Sequence, residues 1–154
     1  MQVFLDTYAT AGIRPQLARE VLASYTEEVF QRAIAQSQER ITVAECCGHL
    51  AGFAHIILGA SHRLAPTGSQ AELLRLYVQE PFTRAGLGTR LLSCAESAAA
   101  NAGTAVMWLT PWVHNHRALA FYSRRKYHDF GRTHFTFEGE TPENRLYAKN
   151  IVTD

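Results

Sequence analysis

No charge of one sign dominates this chain: fifteen Lys and Arg stand against fourteen Asp and Glu, a formal +1 in 154 residues. Such a balance offers no field to hold a nucleic-acid backbone or an anionic membrane surface. Long apolar runs are missing too. None approaches the ~20 residues that a membrane-spanning helix needs, and the opening Met1-Gln-Val-Phe-Leu-Asp6 has neither the basic segment nor the cleavage site of a secretory leader. The expected compartment is therefore the cytoplasm, with neither nucleic acid nor membrane as a partner. Cysteine is scarce: Cys46, Cys47 and Cys94, two of them adjacent and none at metal-ligand spacing, make no disulfide framework and read as reduced thiols. His114 and His116 sit one residue apart at a helix start, which turns their rings away from each other, so no metal is expected. What is present is ordinary globular material, 47% apolar and 19% charged, in a length that suits a single domain spanning residues 1–154.

Apolar periodicity divides the chain. Residues 1–40 read as helical: Leu17, Val21 and Tyr25 recur at helical spacing after Pro15, and Ser24 to Glu27 has capping-box spacing ahead of Val29, Phe30, Ala33 and Ile34. From residue 41 strands take over. Ile41–Cys46 and Leu50–Leu58 form a hairpin through Cys47-Gly48-His49, and the polar stretch Ser61–Gln70 leads to a strand at Glu72–Val78 that ends at Pro81. Leu87, Leu91, Cys94 or Ala95, and Ala98 then mark a helix stopped at Asn101-Ala-Gly103. Thr104–Leu109 reads as a buried strand, Asn115–Lys126 as a helix, and Thr133–Phe137 and Arg145–Val152 as closing strands, with turns at Gly139 and Pro142.

The richest segment is Val78-Gln-Glu-Pro-Phe-Thr83-Arg84-Ala85-Gly86-Leu87-Gly88-Thr89-Arg90, where a strand ends and two glycines two apart open a helix. Glycine lets a backbone approach a phosphate closely, and the unpaired N–H groups and positive dipole end of the helix favour an anion. No Gly-Lys-Ser/Thr follows, so this is not a Walker loop. Leu91 stands where a dinucleotide fingerprint needs its third glycine. About thirty residues on, Asn115-His-Arg-Ala118-Leu-Ala-Phe121-Tyr122 pairs an N-cap Asn with an Ala and a Phe-Tyr on one helix; Asn115 and Tyr122, seven apart, share a face with roughly 10 Å of rise between them.

Together the two segments resemble the GCN5-related N-acetyltransferases, whose loop reads Gln/Arg-x-x-Gly-x-Gly/Ala and whose next motif reads Asn-x-x-Ala-x-x-Phe-Tyr-x-x-x-Gly-Phe. Both glycines and Asn115, Ala118, Phe121 and Tyr122 match; Thr83, Lys126 and Tyr127 depart from the pattern. The resemblance covers residues 41–152 and implies an α/β fold, a mixed and mostly antiparallel sheet flanked by helices and splayed between its fourth and fifth strands. The front departs from the family, which begins with a strand and a longer helix. Phe4–Tyr8 looks like the end of that helix, so the first strand is expected to be missing, its place empty or filled by a partner.

The resemblance also implies acetyl-CoA as co-substrate. Its pyrophosphate would lie on the amides of Arg84, Ala85, Gly86, Leu87, Gly88 and Thr89, with Thr83, at the head of the loop, also among the cofactor-binding residues. Its pantetheine arm would run along Leu76, Tyr77 and Val78 where the strands part, against Asn115, Ala118 and Phe121, with Arg125 reaching the 3′-phosphate and Tyr122 near the sulfur. Acetyl transfer to an amine needs a neutral amine, an oxyanion donor and a proton for the departing thiolate. Tyr122 suits the last, the backbone N–H near Val78 the second, and Glu72 the first, as a base acting through a water. With no cysteine placed for a covalent intermediate, the expected reaction is direct attack by a primary amine, small polyamines ranking first. Trp108 and Trp112 are candidate walls of the amine cleft. A non-catalytic acyl-CoA-binding module is the alternative. An unpaired edge at Ile41–Cys46 makes a homodimer the expected assembly.

Overall fold

The computed structural model describes residues 2–9, 12–134 and 142–152. Three helices lead the chain: α1 (Gln2–Tyr8), α2 (Pro15–Ser24) and α3 (Glu27–Ala35). The first has no buried residue and gave no periodic signal. Pro15 occupies the first turn of α2, and Leu17 and Val21 are its buried positions. The cap of α3 is Thr26, whose hydroxyl accepts from the Val29 amide, rather than Ser24, which closes α2 and donates to Glu20. Ala33 faces inward, whereas Ile34 is 71% exposed.

Six strands follow, in the spatial order β1-β2-β3-β4-β6-β5. They are β1 (Glu39–Cys46), β2 (His49–Leu58), β3 (Gln70–Val78), β4 (Val106–Leu109), β5 (His128–His134) and β6 (Glu143–Asn150). Between β3 and β4 lies α4 (Leu87–Asn101), and between β4 and β5 lies α5 (His116–Ser123). The sheet is antiparallel except for β3 and β4. β1 is an edge strand, and among the described residues no strand precedes it. The hairpin joining β1 to β2 turns on two residues, Cys47 and Gly48, both at positive φ as a tight twisted turn demands. The last strands differ from the sequence expectation. β5 begins five residues early, at His128, and the expected segment beyond His134, with the Gly139 turn, lies outside the described residues.

Cross-strand pairing assigns the two faces. Ala54, Ile56, Ala71, Leu73, Met107, Leu109 and Tyr147 pack on one face against Leu91, Leu92, Ala95 and Ala99 of α4, and against Tyr122 and Tyr127. Cys94 is exposed, so Ala95 and Ala99 carry the inner side of that helix. The opposite face carries Phe53, His55, Glu72, Arg75, Tyr77 and Trp108, since residues paired across strands share a face. Over part of it lie Ala60, Leu64 and Ala65, which pack on Val106, Trp108, Leu146 and Ala148. The Trp108 indole N–H is spent on the carbonyl of Ala60, which fixes this tryptophan in the sheet rather than in a cleft wall.

The end of α5 explains two departures from the family pattern. The amide of Tyr127 reaches the carbonyl of Tyr122, and the amide of Lys126 that of Ser123, a Schellman closure with Lys126 at φ +66°. Its hydrophobic contact is Tyr122 against Tyr127, ring centroids 5.7 Å apart. The Tyr127 hydroxyl donates to Glu96, which also receives Lys149, so the added oxygen has a built partner. Lys126, by contrast, holds a left-handed conformation that costs a side chain of its type about 1 kcal/mol. Replacing Lys126 by Gly is expected to raise stability by roughly 0.5–1 kcal/mol, and replacing it by Val to lower it. Denaturant midpoints of the two variants check this, and a midpoint unchanged or lowered in the glycine variant counts against strain at this position.

Candidate functional site

The centre of the fold is a place where the sheet comes apart. β3 and β4 pair at only three positions, the last being Glu72 with Trp108. Beyond that, β3 keeps β2 as its neighbour and β4 keeps β6, and nothing in the sheet joins the two. The opening therefore starts lower than the neighbourhood of Val78. Leu74 causes part of it: Ile56 pairs with Leu73 and His55 with Arg75, leaving Leu74 as an extra residue bulged out of β3. Leu76, Tyr77 and Val78 run along the free side of β3, whose backbone groups are left for a ligand or water to satisfy.

At the top of the gap the chain passes through a 3-10 turn (Glu80–Phe82) into the glycine loop. Thr83 bonds back to Glu80 through its hydroxyl, Arg84 adopts φ +61°, Ala85 is exposed, and Gly86 stands as the N-cap of α4 at φ +82°. With no side chain at that cap, the amides of Leu87, Gly88 and Thr89 have no acceptor among the described residues. Gly88 lies against Phe121: a Cβ there would sit 3.5 Å from the ring. This is the arrangement of an anion seat, with bare N–H groups, a helix dipole and close backbone access.

Across the gap, α5 presents the second motif. Asn115 caps it by accepting from the Ala118 amide, which commits the side-chain oxygen and leaves the amide nitrogen as the available donor. Arg125 turns back over the Phe121 ring, 3.9 Å from its centroid, and bonds Thr89 at the start of α4. Its Nε is buried without a partner. An exposed ion pair between Arg117 and Glu80, 2.7 Å, links the two banks. Tyr122 is 8% exposed, and burial, followed by the neighbouring Tyr8, pushes its hydroxyl well above the usual phenol range. It therefore keeps its proton throughout the neutral range.

On the other face Tyr8 and Tyr25, which the sequence did not single out as site residues, gather with Tyr77 and Trp112, which it did. Tyr8 of α1 stacks near Trp112 at 5.3 Å, and the Tyr25 and Tyr77 hydroxyls lie 2.8 Å apart. Burial pushes Tyr8 up to about 12 and Tyr77 higher still. Glu72 is half-buried here; burial raises its pKa and Arg75 opposes the rise. His55 and Glu39 look like a catalytic dyad, with Nε2 2.6 Å from the carboxylate. They are not one. Arg75 can only donate, so its bond to His55 Nδ1 at 3.0 Å fixes that nitrogen as an acceptor and Nε2 as the protonated one. Burial and Arg75 together hold the ring neutral against the pull of Glu39. Among the described residues no three His, Cys, Asp or Glu side chains gather as a metal site, and no helix is long and apolar enough to cross a membrane.

The comparisons agree with this geometry. The family model described as Acetyltransferase (GNAT) family matches residues 10–127. An uncharacterized N-acetyltransferase in the pepI 3′ region of Lactobacillus delbrueckii subsp. lactis is 23% identical over 151 residues, 98% of this chain and 87% of that protein. The crystal structure of PaiA N-acetyltransferase from Thermoplasma acidophilum in complex with coenzyme A superposes with a TM-score of 0.72 at 22% identity, covering 96% of this chain and 86% of that one. An aminoglycoside 6′-acetyltransferase type Ii does so with a TM-score of 0.69 at 22% identity, covering 99% and 93%.

The anion seat makes a direct prediction. Gly86→Asp should weaken acetyl-CoA binding at least tenfold more than Gly86→Asn, because both side chains are among those that tolerate a left-handed cap but only one puts a negative charge beside the bare amides. Calorimetric titration separates the two, and equal affinities would displace the pyrophosphate from this loop.

Proposed function

Because the chain belongs to the acetyltransferase (GNAT) family and is an acetyl-CoA-dependent acyltransferase, we propose that residues 1–154 act as one N-acetyltransferase domain that moves acetyl to a primary amine by direct attack in a ternary complex. The observation that carries this reading is the gap itself: a cleft open between β3 and β4, bounded above by uncapped amides, with α5 and its buried Tyr122 on the α4 face of the sheet.

In this reading the amides of Leu87, Gly88 and Thr89, with Arg84, Ala85 and Gly86 of the loop, hold the pyrophosphate, and Arg125 leaves Thr89 to meet phosphate. Leu76, Tyr77 and Val78 pair with the amide-rich arm as an added strand would. Glu72 and Val78 are six residues apart on one strand, roughly 20 Å. A base at Glu72 and an oxyanion donor at Val78 cannot serve one carbonyl, so the donor belongs nearer the bulge at Leu74. Glu72 takes the amine proton through a water; burial makes it a stronger base than a solvated carboxylate. Tyr122 gives a proton to the leaving thiolate. Its raised pKa suits that task because a thiolate released into the same dry cleft also gains proton affinity.

Small polyamines, first in rank on the sequence, meet a difficulty of charge. On the acceptor face Glu39 is committed to His55, Glu20 near Tyr25 accepts from Ser24, and Glu72 has Arg75 beside it. One amine with one positive centre suits this face better than a polycation. Among the described residues the outer side of β1 is unpaired, and Val43 on that strand is 56% exposed, which supports a homodimer through that edge; light scattering giving a monomer mass at all concentrations would dispose of it.

Two variants test the chemistry together. Tyr122→Phe should depress kcat and kcat/KM alike, on the order of 10² to 10⁴ if the hydroxyl acts only in the transition state, with acetyl-CoA affinity nearly unchanged. Glu72→Gln should lose activity near neutrality and recover it at high pH, where the amine sheds its proton unaided. In the wild type, activity falls as pH drops through the pKa of Glu72. Burial has raised that value, so the acid limb should lie above the ~4.3 of an ordinary glutamate. Full turnover in Tyr122→Phe, with chemistry limiting the rate, makes Tyr122 a packing residue.

A further inference from the structure

A groove of about 710 Å³ opens on the face opposite α4, beside the foot of the gap. Leu74 and Arg75, the bulge and the residue after it, line it from β3; Arg32 lines it from α3, and Glu39 and His55 from β1 and β2. Nothing in the proposed chemistry uses these side chains. Yet Arg75 is held unusually firmly for a strand arginine. His55, only 2% exposed, accepts from Nη1, and Glu39 fixes His55 from behind. The guanidinium carbon lies over the rings of Tyr25, 5.4 Å, and Phe30, 5.8 Å.

This construction orients a cation that no direct ion pair among the described residues engages; Glu72 acts on it only from a distance. The histidine beneath Arg75 is a neutral acceptor, and the carboxylate of Glu39 is turned to the far side of that ring. No ion pair joins Arg75 to Asp or Glu among the described residues. Arg32, the other cation of the groove, bonds the carbonyl of Glu28 and keeps its remaining donors. The groove lining thus carries two positive groups against one engaged carboxylate. A planar guanidinium braced on aromatic rings and half-removed from water is suited to grip a carboxylate through two parallel bonds.

We infer that Arg75 clasps a carboxylate carried by the acceptor, so that the preferred substrate is an amino-acid-like amine: one amine delivered into the gap beside Glu72, one carboxylate seated in the groove. The inference rests on the acetyl-transfer reading and deepens it by naming the substrate class. It also explains why the acceptor face has few carboxylates. A diamine would set its second cation against Arg75, whereas a carboxylate completes the pair that the protein leaves open.

A length series of straight-chain ω-amino acids, with alkylamines and diamines of matching length, tests this with acetyl-CoA as donor. The wild type should acetylate the best-fitting ω-amino acid with kcat/KM at least tenfold above the matching diamine. Arg75→Gln should remove that preference, lowering kcat/KM for the amino acid at least tenfold through KM while changing the alkylamine less than threefold. Arg75→Lys should restore part of it. Arg32→Gln, on an exposed helix position that cannot unfold the sheet, should cost the amino acid two- to threefold. A wild-type preference for diamines, or an equal loss for amino acid and alkylamine in Arg75→Gln with the thermal midpoint unchanged, overturns the inference. If no amine in any series is acetylated, calorimetric titration of the ω-amino acids into the protein saturated with CoA decides separately: binding that Arg75→Gln abolishes upholds the carboxylate seat and sinks the transferase reading, and no binding sinks the seat.

Discussion

The whole arrangement depends on the failure of two adjacent strands to stay together. β3 and β4 share three register positions and then diverge. Parallel neighbours normally bury their edges in each other, so a gap leaves obligatory hydrogen-bonding groups open. Three local features maintain it. The extra residue at Leu74 swings the rest of β3 away. Four residues after it begins, β4 ends, just before Thr110 and Pro111. On the far side of β3, Gly52 allows β2 to come so close that a Cβ there would fall 2.6 Å from the Tyr77 carbonyl oxygen. That close approach holds β3 firmly to β2, so the opening is taken entirely on its β4 side.

The sheet's two faces are chemically unequal because different parts of the chain cover them. The face under α4 and α5 is apolar, with the phenols of Tyr122, Tyr127 and Tyr147 buried in its core. Polar groups on the other face are satisfied in sequence: Glu39 to His55, His55 to Arg75, Tyr25 to Tyr77. Burial keeps Tyr8, Tyr77 and Tyr122 protonated, so these phenols can act as donors.

Local patterns and the hairpin of β1 with β2 were legible in the sequence, and the register between distant strands was not. The helix from Leu87 to Asn101 follows from its apolar spacing and its terminating Gly103, which takes φ +82° as a left-handed residue there must. Gly86 and Asn115 announced two helix starts that the structure contains. The early start of β5 left no trace, since His128, Asp129 and Phe130 lie on an edge strand with both faces exposed and no alternation to read. Ser24 in place of Thr26 was an error of two residues, made because both are hydroxyl residues near the same junction. The bulge at Leu74 and the chain from Glu39 through His55 to Arg75 depend on register between distant strands. No spacing along one strand encodes register, and Arg75 in isolation is indistinguishable from a solvated charge.

The latch between Arg125 and Thr89 joins the last turn of α5 to the first turn of α4. With the free side of β3, these two helix ends form a seat whose parts come together only once the sheet and both helices have folded. An unfolded chain has no version of that seat, so on the proposed placement acetyl-CoA would bind one side of the folding equilibrium alone. At a hundred times its dissociation constant such a ligand adds about 2.7 kcal/mol to the folded state, a large share of the 5–15 kcal/mol typical of a domain. On that placement the folded population would rise and fall with the supply of the protein's own acetyl donor.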